Sequence, residues 1–227
     1  MPNTEGGRRE RPAKPALSLE WIVAETIQIM RTEGLERATM RRVAQALDTG
    51  PASLYVYVAN TAELHAAVLD ELITSIEPGA GDWLTRLESV LGKYAEVLFA
   101  YPGLARSALV QRPTGPHAVR LYDQVLGLLL EGDIAPQRAA WGVELLLQHV
   151  TATAAEHSAP APSDVYAPAD DASQMDTLRR ALRGADPATS PHVAAHAEAL
   201  LAGTPAQRQA WAIRALANGI AATPTHS

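Results

Sequence analysis

Residues 39–60, which read TMRRVAQALDTGPASLYVYVAN, concentrate side chains that can hydrogen-bond to a nucleic acid. The guanidinium of Arg41 can donate two hydrogen bonds to a guanine edge or to a phosphate. The hydroxyls of Tyr55 and Tyr57 suit phosphate oxygens. Three short residues precede the tyrosines, and their size would let the backbone approach base edges: Pro51, Ala52 and Ser53.

Two short helices joined by a tight turn must position these side chains. Thr39 can cap the first helix, and Val43 and Leu47, four residues apart, lie on one face of it. The segment 48–50 breaks the pattern, and its Gly50 offers unusual backbone dihedral angles. This part of the stretch therefore predicts a helix that stops at a three-residue turn.

The second helix restarts at Pro51, because a proline at the first helical position lacks only an N–H that would have no partner there. Leu54 and Val58 anchor this helix, and Ala44 is small enough for the two helices to cross closely. The pattern favours a helix-turn-helix. Spacing alone also permits an ordinary packed helical hairpin whose tyrosines are half-buried for their volume.

The run TMRRVAQALDTGPASLYVYVANTAEL resembles the DNA-binding domain of the TetR (tetracycline-repressor-like) family, and the match extends over roughly residues 18–76. The resemblance implies DNA contacts from the two helices, their turn and the start of the next helix: Thr39, Arg41, Gly50, Pro51, Ala52, Ser53, Tyr55, Tyr57 and Thr61. The sequence departs from the family pattern at Asp48, which replaces the turn glycine, at Val56, and at Thr61, which replaces a lysine. These changes bear on DNA affinity and base preference.

Charge is unevenly distributed along the 227 residues, whose net charge is −6. Residues 1–60 hold eight Lys and Arg against seven Asp and Glu, a net +1, whereas the remainder holds 11 against 18, a net −7. Such asymmetry permits DNA contact at the N-terminal part only. The basic residues Arg8, Arg9, Arg11 and Lys14 could follow the minor groove or form only a solvated tail.

The pattern beyond this stretch is helical, with no period-2 run that predicts a sheet. Residues 1–17 are expected to be a disordered basic arm, 18–61 a three-helix DNA-binding domain, and 62–227 a larger helical domain for effector binding and dimerisation. Within the last, 62–77 forms a connecting helix, and the Pro-rich segment 159–172 is a loop. The fold class is all-α.

Polar side chains among the later helices suggest a ligand cavity with mostly apolar walls. The candidates are Tyr94, Tyr101, His117, Tyr122, Trp141, Glu144 and His149. An ordinary core with satisfied polar tips explains the same residues. The family resemblance implies an effector site enclosed by helices five to eight, with Trp141 as our preferred wall residue.

Two Ala- and Gly-containing apolar stripes, in residues 136–159 and 207–222, predict an association surface. Its candidate residues are Trp211, Ile213, Ala217 and Ile220. The resemblance implies a two-fold homodimer through a four-helix bundle here. The alternative is that the last helix packs onto its own domain.

The sequence contains no recognisable catalytic or metal-binding motif. His192 and His196 are four apart, but no further ligand has fitting spacing, and the chain has no cysteine. We therefore expect no enzyme activity, no metal and no cofactor. A signal-peptide core and membrane-length apolar runs are also absent, which favours a cytoplasmic protein.

The sequence thus predicts a ligand-responsive DNA-binding regulator of TetR type, acting as a repressor on a palindromic operator until a small molecule binds. A different class of function stays open. Val56 and Thr61 are compatible with a helical small-molecule-binding protein that has lost specific DNA binding.

Overall fold

The computed structural model describes residues 16–156 and 171–225, which form eleven α-helices, one 3₁₀ turn and no strand. The predicted all-α class is therefore confirmed. In chain order the helices are α1 Leu19–Glu33, α2 Met40–Ala46, α3 Pro51–Leu54, α4 Thr61–Leu72, α5 Trp83–Ala100, α6 Pro102–Val110, α7 Pro116–Glu131, α8 Pro136–Glu156, α9 Asp171–Arg183, α10 Pro191–Leu201 and α11 Pro205–Ala222, with the 3₁₀ turn at Leu35–Arg37.

Two predicted segments fall wholly or largely outside these ranges. The arm residues Arg8, Arg9, Arg11 and Lys14 lie outside the described residues, as do residues 159–170 of the predicted loop. Over the ranges that are described, no helix has the length and apolar character needed to cross a membrane.

Polar side chains cap the N-termini of α1, α2 and α4. Ser18 accepts the N–H of Trp21 at 3.2 Å, and Thr39 accepts that of Arg42 at 3.2 Å. Asn60 caps α4 through the N–H of Glu63 at 2.9 Å. Each bond satisfies a donor that the first helical turn leaves unpaired, which fixes where these helices begin.

The turn between α2 and α3 is closed by Asp48 and not by Gly50. Asp48 has φ of 50°, in the left-handed region, while its N–H donates to Gln45 and that of Thr49 donates to Ala44. This is the Schellman arrangement of a helix end. Gly50 has φ of −83°, which any residue adopts, so the unusual dihedral angles predicted for Gly50 belong to Asp48.

Two separate apolar cores organise the chain. The head core joins α1, α2 and α3 to α4 and to Leu104 of α6, and its fully buried members include Ile22, Ile29, Leu54 and Leu64. The body core joins the end of α4 to α5–α8 and α11, and it includes Leu69, Leu91, Leu129 and Leu146. The described part of the chain therefore has two buried clusters, and both α4 and α6 contribute residues to each of them.

The connecting helix α4 is shorter than predicted. It ends at Leu72, residues 73–75 form a turn and residues 76–77 are irregular, although Ile73 and Ile76 remain buried in the body core. The N–H of Ile76 donates to the carbonyl of Ile73, which closes a tight turn in place of another helical turn. The predicted end at residue 77 is wrong because burial of Ile73 and Ile76 is achieved without helix.

The last helix, α11, packs against α5 and α8 of its own subunit. Ile213, Ala217 and Ile220 are all buried in the body core, so they cannot form the exposed association surface predicted for them. Trp211 points the other way and is 72% exposed. The apolar stripe of α11 faces inward because it completes the core that α5 and α8 leave open.

α9 and α10 pack mainly on each other, and Arg183 of α9 pairs with Glu198 of α10 at 2.8 Å. α10 has no buried residue, and its backbone departs from helical angles at His196. The histidines at 192 and 196 are both exposed.

Gly142 of α8 lies close to Ile220 of α11. An added Cβ would lie 2.9 Å from Ile220 Cγ2, whereas one added to Gly127 of α7 would meet nothing within 4 Å. We expect Gly142→Val to destabilise the protein by about 1–3 kcal/mol through overpacking. Gly127→Ala should instead stabilise it by up to about 1 kcal/mol, because alanine favours the helix. Urea denaturation followed by circular dichroism measures both, and equal effects would contradict this packing.

Candidate nucleic-acid interface and ligand cavity

Two neighbouring arginines of α2 have different surroundings. Arg42 is held by Glu33, whose oxygens accept from Nε at 3.1 Å and from Nη2 at 2.5 Å. This hydrogen bonding lowers the pKa of Glu33 and raises that of Arg42. Arg41 is exposed and has no ion pair or hydrogen bond within the described residues. Arg41 is thus the cation of α2 that can bind an external anion or base edge.

Arg41 lies at a surface groove formed where α2 meets α3. The groove is lined by Arg41, Gln45, Asp48, Thr49 and Pro51. Pro51 and Ala52 are exposed at the start of α3, next to this groove. Their small side chains leave the first turn of α3 accessible from outside.

Most of the remaining predicted contact residues are at least partly exposed, but the hydroxyl of Tyr57 is engaged inside the subunit. Thr39, Gly50, Tyr55 and Thr61 are exposed, and Ser53 is partly exposed. Tyr57 is different, because its hydroxyl donates to the carbonyl of Leu17 at 2.5 Å. A hydroxyl donates only one hydrogen bond, so Tyr57 cannot also donate to a phosphate in this state. Tyr57 instead ties the segment before α1 to the end of α3.

The body holds a small cavity of about 70 Å³ that opens to solvent. Its walls come from the end of α4, from α5, α6, α7 and α8, and from the segment after α6. The lining residues are Ile73, Tyr94, Ala108, Leu109, Arg112, Pro113, Ala118, Leu121, Tyr122, Glu144, Leu147, Gln148 and Thr151. The cavity therefore touches both the connecting helix and the bundle.

Hydrogen bonding gives the buried side of this cavity a defined polarity. The Thr151 hydroxyl lies 2.8 Å from the Leu147 carbonyl, which can only accept, so Thr151 donates there. Tyr94, 3.1 Å away, must then donate to Thr151 Oγ1. The phenol oxygen of Tyr94 keeps lone pairs for a guest that donates. Burial raises the pKa of Tyr94, so its proton stays in place at neutral pH.

The open side of the cavity carries charge. Arg112 pairs with Glu144 at 3.0 Å, and their side chains are 53% and 60% exposed. Tyr122 is also partly exposed beside Arg112. A surface ion pair of this kind contributes little stability, so a ligand group can replace one partner at small cost. The cavity thus combines an apolar wall, a buried acceptor and an exchangeable ion pair at the entrance.

Three of the seven residues predicted for the cavity line it, namely Tyr94, Tyr122 and Glu144. The other four lie elsewhere. Tyr101 packs against the head core, and His117 bonds Thr74 at 3.2 Å outside the lining. His149 is only partly buried and does not reach the cavity, and Trp141, our preferred wall residue, is 58% exposed on the outside of α8.

Arg112, Gln148 and Thr151 were missed by the sequence prediction. On α8, positions 144, 147, 148 and 151 follow the i, i+3, i+4, i+7 spacing of one helix face. Extending that spacing from Glu144 could have found Gln148 and Thr151. Arg112 lies after α6, in a segment without periodicity, so no pattern in the sequence marks it.

Comparison with known proteins identifies the family. The pattern described as "Tetracyclin repressor-like, C-terminal domain" matches residues 76–208, more than half of the chain. The Streptomyces coelicolor protein SCO7704, described as a transcription regulator, has a crystal structure with 51% sequence identity and a TM-score of 0.80, covering 94% of this chain and 99% of that one. The chain belongs to the tetracycline-repressor (TetR) family of transcriptional regulators.

Two further relatives have described roles. The transcriptional repressor DrrR1 of Streptomyces coeruleorubidus is 35% identical over 128 residues, 55% of this chain and 47% of DrrR1, so the match spans about half the length of that relative. The TetR family protein ActR of Streptomyces coelicolor, crystallised with actinorhodin, shares 29% identity at a TM-score of 0.74, covering 90% of this chain and 97% of ActR.

The bond from Tyr94 to Thr151 generates a stability prediction. Thr151→Val keeps the side-chain shape but leaves the buried Tyr94 hydroxyl unpaired, and we expect a loss of about 1–3 kcal/mol. Adding Tyr94→Phe should recover part of this loss, because both polar groups are then gone. Urea denaturation of the two single variants and the double variant measures the coupling. Strictly additive losses would show that the two hydroxyls do not depend on each other.

Proposed function

We propose that this protein is a homodimeric transcriptional repressor whose affinity for DNA is set by a small molecule in the body cavity. The unpaired Arg41 beside the accessible start of α3 carries the proposal. Recognition helices contact base edges with their N-terminal residues, and α3 begins with small, exposed residues. Arg41 adds a cation able to form bidentate hydrogen bonds to guanine.

Dimerisation would bring two such heads to one duplex. α8 and α11 pack side by side, and both expose large apolar side chains, namely Trp141, Leu145 and Trp211. An apolar surface of this kind is typical of an association site. A two-fold pair of heads requires an operator with two inverted half-sites, one or more helical turns apart. The proposed interface thus uses the outer face of α8 and Trp211, not the buried stripe of α11.

The proposed effector is a largely aromatic or apolar molecule with a hydroxyl donor. Apolar walls favour such a molecule, and the free lone pairs of Tyr94 require a donor for a good fit. ActR, a similar protein, was crystallised with actinorhodin, which makes that compound a sensible first probe. DrrR1 is described as a repressor, and repression is the direction we propose here.

The proposed role needs no catalytic step, since the relatives reported above are described as regulators. We therefore propose that the protein has no enzymatic activity. A repressor must reach chromosomal DNA, and on that ground we propose a cytoplasmic location. The rival function, a binding protein without specific DNA recognition, predicts effector binding but no retardation of the protein's own upstream DNA.

Substitution of Arg41 tests the DNA contact. Arg41→Ala should weaken binding to the upstream operator by about 1–3 kcal/mol, because one base contact is lost. Arg41→Lys keeps the charge but not the planar fork, so it should weaken specific binding nearly as much. Fluorescence anisotropy with labelled operator, with unrelated DNA as competitor, measures both variants. Full affinity in Arg41→Lys would reduce Arg41 to a phosphate contact, and full affinity in Arg41→Ala would remove it from the interface.

Substitution of Trp211 tests the association surface. Trp211→Glu would bury an unpaired charge between subunits, which costs several kcal/mol, so we expect a monomer in light scattering after size exclusion. Val119 is 62% exposed on α7, a helix outside the proposed interface, and Val119→Glu is the matched control that should stay dimeric. A soluble Trp211→Glu dimer would move the interface elsewhere.

A further inference from the structure

The helix α4 and its C-cap residue Ile73 pack against both apolar cores, and Leu72 at the end of the helix still packs against the head core. Leu64 and Val68 belong to the head core, whereas Leu69 and Ile73 belong to the body core. Ile73 also lines the cavity. Any movement of the head relative to the body must therefore displace α4, and the contacts that hold the second half of α4 decide how firmly it is fixed.

One buried carboxylate dominates those contacts. Asp70 of α4 is 7% exposed, and its Oδ1 accepts the N–H of Ala118 at 2.7 Å. Its Oδ2 accepts the N–H of His117 more weakly, at 3.4 Å. These are the second and third residues of α7, the donors that a helix normally satisfies with its own N-cap side chain. Asp70 thus caps α7 from another helix.

α7 cannot provide this cap itself, because its N-cap residue is Gly115. A Cβ on Gly115 would lie 2.2 Å from Asp70 Oδ2, so the glycine makes room for the carboxylate. The backbone angles of Gly115, φ −73° and ψ 176°, are open to any residue. The reason for glycine at this position is therefore the approach of Asp70 and not the dihedral angles.

The other polar contacts between this part of the chain and α7 are more exposed. His117 Nδ1 lies 3.2 Å from Thr74 Oγ1, Arg120 pairs with Glu77, and Gln124 donates to the carbonyl of Ile76 at 3.1 Å. Exposed polar pairs contribute little, while a buried carboxylate bound to backbone N–H groups is a strong contact. Asp70 is the contact most able to transmit a displacement.

Ala118 connects this contact to the cavity. The residue whose N–H donates to Asp70 also lines the cavity, together with Leu121 and Tyr122 of the same helix. A ligand that shifts the start of α7 must therefore move or break the bond to Asp70. α6 offers a second, apolar connection, because its Leu104 lies in the head core while its Ala108 and Leu109 line the cavity. The polar contact of α6 with α4, between His65 Nδ1 and Ser107 Oγ at 3.2 Å, does not reach the cavity.

We propose that Asp70 is the residue that couples the cavity to the DNA-binding head, by capping α7 from α4. This inference rests on the proposed function, since it assumes that the head binds an operator. It predicts that operator binding, which holds the head and α4, protects the start of α7 even without effector.

A swap of the cap separates coupling from simple stabilisation. Asp70→Ala leaves the N–H groups of residues 117 and 118 unpaired and removes the carboxylate that excludes a side chain at 115. Adding Gly115→Ser supplies a local cap, because serine is a favoured N-cap residue. In Asp70→Ala/Gly115→Ser, α7 is capped again, but the cap no longer comes from α4. Glu71→Gln, which removes one negative charge from an exposed position of α4, is the matched control.

Hydrogen exchange is first measured on the free proteins. In Asp70→Ala we expect faster exchange both at residues 117–120 and at residues 69–77. Adding Gly115→Ser should slow exchange at 117–120 again and leave 69–77 fast, whereas Glu71→Gln should match wild type. If exchange in the double variant became slow again at both 117–120 and 69–77, the proposal would be overturned, because the protection of α4 would then not depend on Asp70.

Exchange is then measured with the operator bound. In wild type and Glu71→Gln, operator should slow exchange at 117–120 by about 5-fold or more, the lower end of typical allosteric coupling. In the double variant this change should vanish while α2 and α3 remain protected. Two results would overturn Asp70 as the coupling residue. One is that operator still slows exchange at 117–120 in the double variant. The other is that operator protects α2 and α3 of the wild type but does not slow exchange at 117–120. If upstream DNA protects no part of the head, the proposed function fails, and the exchange of the free proteins still decides whether Asp70 joins α4 to α7.

Discussion

The shared burial of α4 is the constraint on which the rest of the structure depends. A twelve-residue helix cannot have two independent orientations, yet its side chains complete two cores. Core packing is dense and discrete, so small rotations of α4 must repack one core or be resisted by both. The head is therefore neither a free module nor a rigid extension of the body. This arrangement makes the chain suited to passing a local change over a long distance.

Some polar side chains along the chain bond to partners inside the subunit, and others remain accessible from outside. Arg42, Asp70 and Tyr57 are engaged with partners inside the subunit, while the adjacent Arg41 and the small residues that open α3 are left accessible. The same division holds in the cavity, where the Tyr94 hydroxyl has one partner but retains an acceptor. The proposed functional contacts thus use groups that folding leaves incompletely satisfied.

The chain has the helical architecture of its family, and particular residues form its helix ends and turns. Asp48 and Asp133, both in the left-handed region, end α2 and α7 with similar hydrogen bonds where glycine is more usual. A glycine at 115 instead accommodates a carboxylate from another helix. Such substitutions preserve the path of the backbone while changing which side chains connect its parts.

The sequence by itself determined the helices, since periodicity, capping residues and prolines act within a few residues of one another. It also indicated the helix-turn-helix, because the order of Arg41, the turn and Leu54 is a local pattern. Only the tertiary structure decided which face of α11 is buried, that Trp141 faces outward, and that Arg112 meets Glu144. These facts depend on residues distant in the chain, as does the cap that Asp70 gives to α7. Sequence periodicity does not predict such contacts, because they arise from how the helices pack against one another and not from how each helix forms.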